Sequence, residues 1–132
     1  MQLHSETDCA LRMLLYLASE NRQIVAREIA KKIGVNKNYV FKVADKLKKA
    51  KFVDSTMGTY GGYSLARPPD FVTVYDIAGV FEDTMQCSRL TNVTDPAVLA
   101  ADQYYRFMER RADNIMRSHT LSDLLKHNYG YD

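Results

Sequence analysis

The chain has 132 residues, 46% hydrophobic and 26% charged, with no Trp and three Pro. That composition fits an ordinary globular protein of one domain plus an extra element, and no apolar run approaches the ~20 residues that a membrane-spanning helix needs. The formal charge of +2 hides an asymmetry: residues 1–70 carry twelve basic against seven acidic side chains, residues 71–132 carry six against nine, and Arg27–Lys51 alone carry nine against two.

In chain order, Ser5-Glu6-Thr7-Asp8 predicts a helix start, with Ser5 capping and Asp8 answering three residues on. Ala10, Met13, Leu14 and Leu17 follow as an apolar stripe at helical spacing. The acidic residues ahead of that stripe, and the lack of a basic start, argue against a signal peptide. Ile24-Val25 is expected as a one-bridge strand. Ala26–Ile33 predicts a short helix ended by Gly34, since glycine accepts the left-handed conformation past a helix end. Asn36 caps a second helix, Lys37–Lys49, with Val40, Val43, Ala44 and Leu47 inward and Lys37, Asn38, Phe41, Lys42, Asp45 and Lys49 outward. Phe52-Val53 and Tyr63–Leu65 flank a hairpin tip rich in Gly58, Gly61 and Gly62, and Pro68-Pro69 stop the second strand. Thr73 caps a helix from Val74 to about Glu82. Residues 84–94 read as a loop.

Asp95-Pro96 then marks a strong helix start, a capping carboxylate followed by proline at the first helical position. The helix runs to about Ser118, a length of ~35 Å. Val98, Ala101, Tyr105, Met108, Ala112 and Ile115 recur alternately three and four residues apart, the spacing of a heptad seam. Thr120–Asp123 opens a last short helix bearing Leu121, Leu124 and Leu125.

Helix, tight turn, lysine-rich helix and glycine-tipped hairpin together predict a mainly α fold with a small β-hairpin wing: a winged helix-turn-helix plus a long C-terminal dimerisation helix. Residues 1–83 form the DNA-binding domain in this reading, 84–95 a loop, and 96–132 the dimerisation helix and the short helix after it. The basic surplus on the helix-turn-helix is the footprint of a phosphate-backbone binder; the bland alternative is a solvated lysine face. The seam is expected to pack on its copy in a homodimer, as readers of two half-sites do, rather than on the first helix of its own chain.

On the second helix, Asn36, Lys37, Asn38, Tyr39, Phe41 and Lys42 are the candidate double-stranded DNA contacts. Asn38 suits a bidentate bond to adenine, and Lys37 or Lys42 suit guanine acceptors or phosphates. Phe41 suits a thymine methyl, or else packs half-buried under the wing; Tyr39 suits phosphate or packing. At the hairpin tip, Thr59 and Tyr60 are candidate phosphate contacts. No enzyme is expected, because nucleotide loops, metal-spaced His/Glu sets and nucleophile motifs are lacking. The stronger rival is a winged-helix protein-interaction module.

Taken together, DCALRMLLYLAS, IAKKIGVNKNYVFKVADKLKKAKFV and GTYGGYSLARPPDFVTVYDI resemble the IscR/NsrR/CymR-type bacterial winged-helix regulators over almost the whole chain. The resemblance implies a cytoplasmic, dimeric transcription factor, often a repressor, whose long helix crosses that of its mate. Two departures stand out. Many relatives carry an arginine before the glycines of the wing, where this chain has Met57-Gly58-Thr59-Tyr60-Gly61-Gly62, so arginine reading of the minor groove is not expected. Cluster-binding relatives hold iron–sulfur clusters with three loop cysteines. Here Cys87 stands alone in the loop, beside Ser88, Thr91, Asn92, Thr94 and Asp95, although Asp8 matches the non-cysteine ligand of some members. Clusters need thiolate-rich ligation, so no cluster and no metal is expected. Cys87 is then a thiol redox sensor or a residue without a role. Other sources of control are a small-molecule or haem-like effector near Met85, Cys87, Tyr105, Met108 and His119, or a protein partner. Cys9 is expected to be packed rather than reactive. With both thiols reduced, the chain is placed in the cytosol.

Replacing Lys42 with Ala is expected to weaken binding to all duplexes and flatten its salt dependence, and Asn38→Ala to relax base preference. Titrations at two salt concentrations against specific and scrambled duplexes distinguish them; an unchanged slope for Lys42→Ala removes its phosphate role.

Overall fold

The computed structural model describes residues 3–83, 90, 92–127 and 129–130. Helix α1, Ser5–Glu20, buries Cys9, Ala10, Met13, Leu14 and Leu17. Helix α2, Ala26–Ile33, ends at Gly34, which takes φ +79° as its position past a helix end requires. Helix α3, Lys37–Lys49, buries Val40, Val43, Ala44 and Leu47 against α1 and α2, the four residues its periodicity assigned to the core.

Strands β1, Val53–Thr56, and β2, Gly62–Leu65, pair antiparallel with Val53 opposite Leu65 and Thr56 opposite Gly62. Ile24 adds a single bridge to Tyr63, with two backbone bonds of 2.8 Å, and so fastens the hairpin to the entrance of α2. This junction explains Gly62. Its φ is +141°, and a Cβ there would lie 2.5 Å from the Ile24 carbonyl oxygen.

After β2 the two prolines do more than stop a strand. Pro69–Phe71 form a 3-10 turn that local pattern did not reveal. Just before it, the Arg67 guanidinium donates to the carbonyls of Ala50 at 2.9 Å and Lys51 at 3.1 Å and lies over the Phe52 ring at 4.2 Å. Arg67 thus satisfies carbonyls at the end of α3 that the helix itself cannot pair.

Helices α4, Val74–Phe81, and α6, Leu121–Lys126, both start with capping boxes, Thr73 with Asp76 and Thr120 with Asp123. The two caps are joined: Thr73 and Thr120 form an antiparallel bridge, with Val74 N–H donating to His119 O and Leu121 N–H to Val72 O. Between them runs α5, Pro96–Ser118, capped by Asp95 through Ala97 N–H and Val98 N–H. The sequence division at residue 96 groups α6 with α5, yet Leu121 is fully buried in the core that α1 centres, and α6 packs on α1.

The expected Ser5 cap is not made. The helix begins at Ser5 itself, His4 occupies the cap position without a side-chain bond, and the Ser5 hydroxyl meets the Tyr39 hydroxyl at 3.0 Å. Asp8 instead pairs with Arg12 at 2.7 Å. The carboxylate serving this helix start comes from the far end of α4: Glu82 accepts from His4 N–H at 3.0 Å and from the Thr7 hydroxyl. Its side chain is only 4% exposed. Burial disfavours its charge, but the Thr7 and His4 bonds outweigh that and hold the carboxyl below its ordinary range. A negative group is favoured at a helix N-terminus for the same reason an ordinary acidic cap is.

Gly62→Ala is expected to destabilise the fold by about 1–3 kcal/mol through backbone strain and the Ile24 contact. Gly79→Ala, in α4 with nothing within 4 Å of the added methyl, is expected to be neutral or to stabilise by up to about 1 kcal/mol. Urea unfolding of the two variants checks the pair.

Candidate nucleic-acid interface

Helix α3 owes its start to Asn36, whose side-chain oxygen accepts the Asn38 N–H at 2.6 Å. With one face packed, the 100° advance per residue leaves Asn38, Lys42, Asp45 and Lys49 on the outer face, and all four are exposed. Lys37 and Phe41 turn toward the hairpin. There they line a groove of about 640 Å³ with Val25, Arg27, Ser55, Thr56 and Thr59. Phe41 is 45% exposed there, available along one edge.

The candidate residues therefore divide. Lys37, Phe41 and Thr59 share the groove, and Asn38 and Lys42 lie on the outer face of the helix beside it. Tyr60, 92% exposed, projects from the hairpin tip outside the groove lining. Tyr39 is half-buried against the core with its hydroxyl on Ser5. Cys87 lies outside the described residues, as do Met85, Ser88 and Thr91.

Electrostatics refine the charge count. Glu6, on α1, takes both Lys42 at 3.0 Å and Lys46 at 2.7 Å, and Asp45 takes Lys49 at 3.0 Å. Arg22 pairs with Glu28 and Glu20. Among the described residues, Arg27 and Lys37 make no ion pair, so the groove edge keeps two uncompensated cations. Arg27 was missing from the sequence candidates. It occupies the first turn of α2, a helix start without a side-chain cap, and such a start favours anions through its N–H groups and dipole. The local signal was there in a basic residue directly after Ala26; what was lacking was the hairpin that closes over it.

The seam candidates on α5 also divide. Tyr105 and Ala112 are half-buried, whereas Val98, Ala101, Met108 and Ile115 are exposed, Ile115 to 61%. Tyr104 and Phe107, outside the seam as read from spacing, are exposed as well and stack at 6.2 Å. Arg117 ties the helix to α4 by lying 3.9 Å over the Tyr75 ring.

A helix-turn-helix with an exposed second helix, an antiparallel hairpin beside it and a cationic groove between them is a winged-helix fold built for nucleic acid. The chain belongs to the Rrf2 family, described as an iron-dependent transcriptional regulator, whose sequence model matches residues 3–127. It is 33% identical over 128 residues to BadM of Rhodopseudomonas palustris, described as an HTH-type transcriptional regulator, covering 96% of this chain and 82% of that one. Among solved structures it resembles a transcriptional regulator from Listeria innocua, with a TM-score of 0.86 at 26% identity over 100% of this chain and 90% of that one. It also shares its fold with CymR, the global cysteine regulator of B. subtilis, with a TM-score of 0.83 at 24% identity over 97% and 98% of the two chains. No helix among the described residues is long and apolar enough to cross a membrane.

Arg27→Ala is expected to lower the salt slope of duplex binding by about 0.9, one phosphate contact, with thermal stability unchanged because the side chain is exposed. Fluorescence anisotropy across a salt series, with a melting curve alongside, measures both.

Proposed function

We propose that the chain is a cytoplasmic, homodimeric transcriptional repressor that reads double-stranded DNA with α3 and works without an iron–sulfur cluster. The observation that carries this reading is the continuous face of α3, the start of α2 and the β1–β2 hairpin around a groove whose cations Arg27 and Lys37 make no ion pair among the described residues. In this reading α3 enters the major groove, Asn38 meets a base edge, Phe41 a thymine methyl, and Lys37, Lys42, Arg27 and Thr59 meet phosphates. Tyr60 reaches along the backbone from the hairpin tip. Asn36, its oxygen spent on the cap, helps by fixing the start of the helix.

Dimerisation is supported by α5. Its 23 residues bury only Met116 in their own chain, and they leave Val98, Tyr104, Phe107, Met108 and Ile115 in water. Exposed apolar side chains spread along one long helix mark an association surface, and a two-fold mate would bury them while presenting two copies of α3 to successive half-sites.

The donor set argues against a cluster. Among two cysteines, Cys9 is buried in the core with its thiol pushed up to about 11 by burial and by the nearby Asp8 and Glu6. A thiol held that far from its thiolate form is a poor iron ligand. Asp8, the carboxylate matching the non-cysteine ligand of some relatives, is engaged by Arg12. That leaves Cys87 as the one loop thiol per chain, too few for thiolate-rich ligation.

Protein purified without oxygen is expected to be colourless and iron-free, to elute at about twice the chain mass, and to bind duplex DNA in a salt-dependent manner. A brown, iron-containing preparation overturns the cluster-free reading, and a monomer that still binds DNA overturns the dimer.

A further inference from the structure

One carboxylate holds two lysines of the reading helix. Glu6 accepts from Lys42 through Oε1 at 3.0 Å and from Lys46 through Oε2 at 2.7 Å. The two ammoniums, bonds from Lys46 first and Lys42 second, hold the Glu6 carboxyl below its ordinary range, so it is charged at neutral pH. The three groups together therefore present one net positive charge at this edge of α3 where the lysines alone would present two.

The geometry also fixes where Glu6 stands. It belongs to the first turn of α1, and both neighbours in sequence are tied down. Ser5 bonds Tyr39 of α3, and Thr7 bonds Glu82 at the end of α4. Lys46 is further held by the Phe81 ring, whose centroid is 5.8 Å from its ammonium. Among the described residues Lys42 has no such second anchor, and its side chain is 60% exposed. The two lysines are thus unequal. Lys46, itself 46% exposed, is held from α1 and α4 at once, and Lys42, held from α1 alone, is the freer to leave.

We propose that Glu6 is an internal competitor for DNA phosphate at Lys42, positioned by the Glu82 clasp on Thr7 and His4, and that it sets the affinity of the reading helix for duplex DNA. The proposal rests on the DNA-binding function above. Lys42 carries three donors on a flexible stem, so it can swing from the carboxylate to a phosphate oxygen. When it does, Lys46 still neutralises Glu6, and no charge is stranded. An exposed ion pair is weak and screened by salt, so the exchange is easily reversed. The competitor moderates binding rather than preventing it.

The test is Glu6→Gln, alone and combined with Lys42→Ala, in full-length protein titrated with a duplex of scrambled sequence across a salt series. Circular dichroism melting confirms the fold, and Glu6→Asp, one methylene shorter, is the milder variant. Glu6→Gln is expected to bind roughly five- to tenfold tighter at 0.1 M salt with a similar slope, because Lys42 meets the same phosphate in both proteins. Glu6→Asp is expected to lie between it and the wild type. With Lys42→Ala present, the gain from Glu6→Gln is expected to shrink to twofold or less. A folded Glu6→Gln with unchanged affinity overturns the proposal, and so does an equal gain in the Lys42→Ala background, which would make Glu6 a general field rather than a competitor at Lys42. Wild-type protein that shows no salt-dependent association overturns the DNA-binding function itself, a result distinct from either.

Discussion

The structure depends on the burial of one stripe of α1. Ala10, Met13, Leu14 and Leu17 are out of contact with water, and α2, α3, α4, α6 and β2 all pack on this helix. Each large side chain so buried contributes roughly 1.5–3 kcal/mol, and together they orient everything functional. The inward face of α3 is held against α1, so its outward face is fixed. The hairpin is fixed in turn because Ile24, buried beside α1, bridges Tyr63. The groove between α3 and hairpin is therefore a by-product of core packing, and its residues need no contacts with one another to be in place.

What local chemistry encodes was legible without coordinates. Gly34, Asn36, Thr73, Asp95-Pro96 and Thr120 act through bonds spanning a few residues, and each does in the structure what its spacing implies. The misreading at Ser5 has the opposite cause. Its neighbourhood satisfies the pattern of a capping box, but a carboxylate 75 residues from Thr7 outcompetes it, and no window of sequence contains that information. Arg67 belongs to the same class. The string around it was recognisable, while its work, satisfying carbonyls of Ala50 and Lys51, becomes visible only when the hairpin has folded back.

The interface was legible in part for the same reason. Periodicity separated the inner from the outer side of α3 correctly, so Lys37, Asn38, Phe41 and Lys42 all emerged as outward residues. Counting charges along Arg27–Lys51 overstated the cationic field, because Glu6 enters from outside that segment and pairs with two of its lysines. Arg27 was overlooked because its relevance comes from the hairpin that closes over the start of α2. On α5, spacing alone selected one apolar track, whereas the folded chain half-buries Tyr105 and Ala112 of that track and leaves Tyr104 and Phe107, outside it, in water.

The Thr73–Thr120 bridge has an evolutionary consequence. It brings the chain back, after the excursion through residues 74–119, to the strand position from which it left. The two ends of the excursion are thereby held together, while α4 within it still packs on α1. For a segment whose ends are already clamped together, doubling the number of residues adds only about 0.6 kcal/mol of closure entropy. Residues can thus be gained, lost or exchanged between α4 and α5 with little effect on the stability of the reading unit. A fold with such a clamp tolerates change in that connection while its second helix and hairpin stay in place.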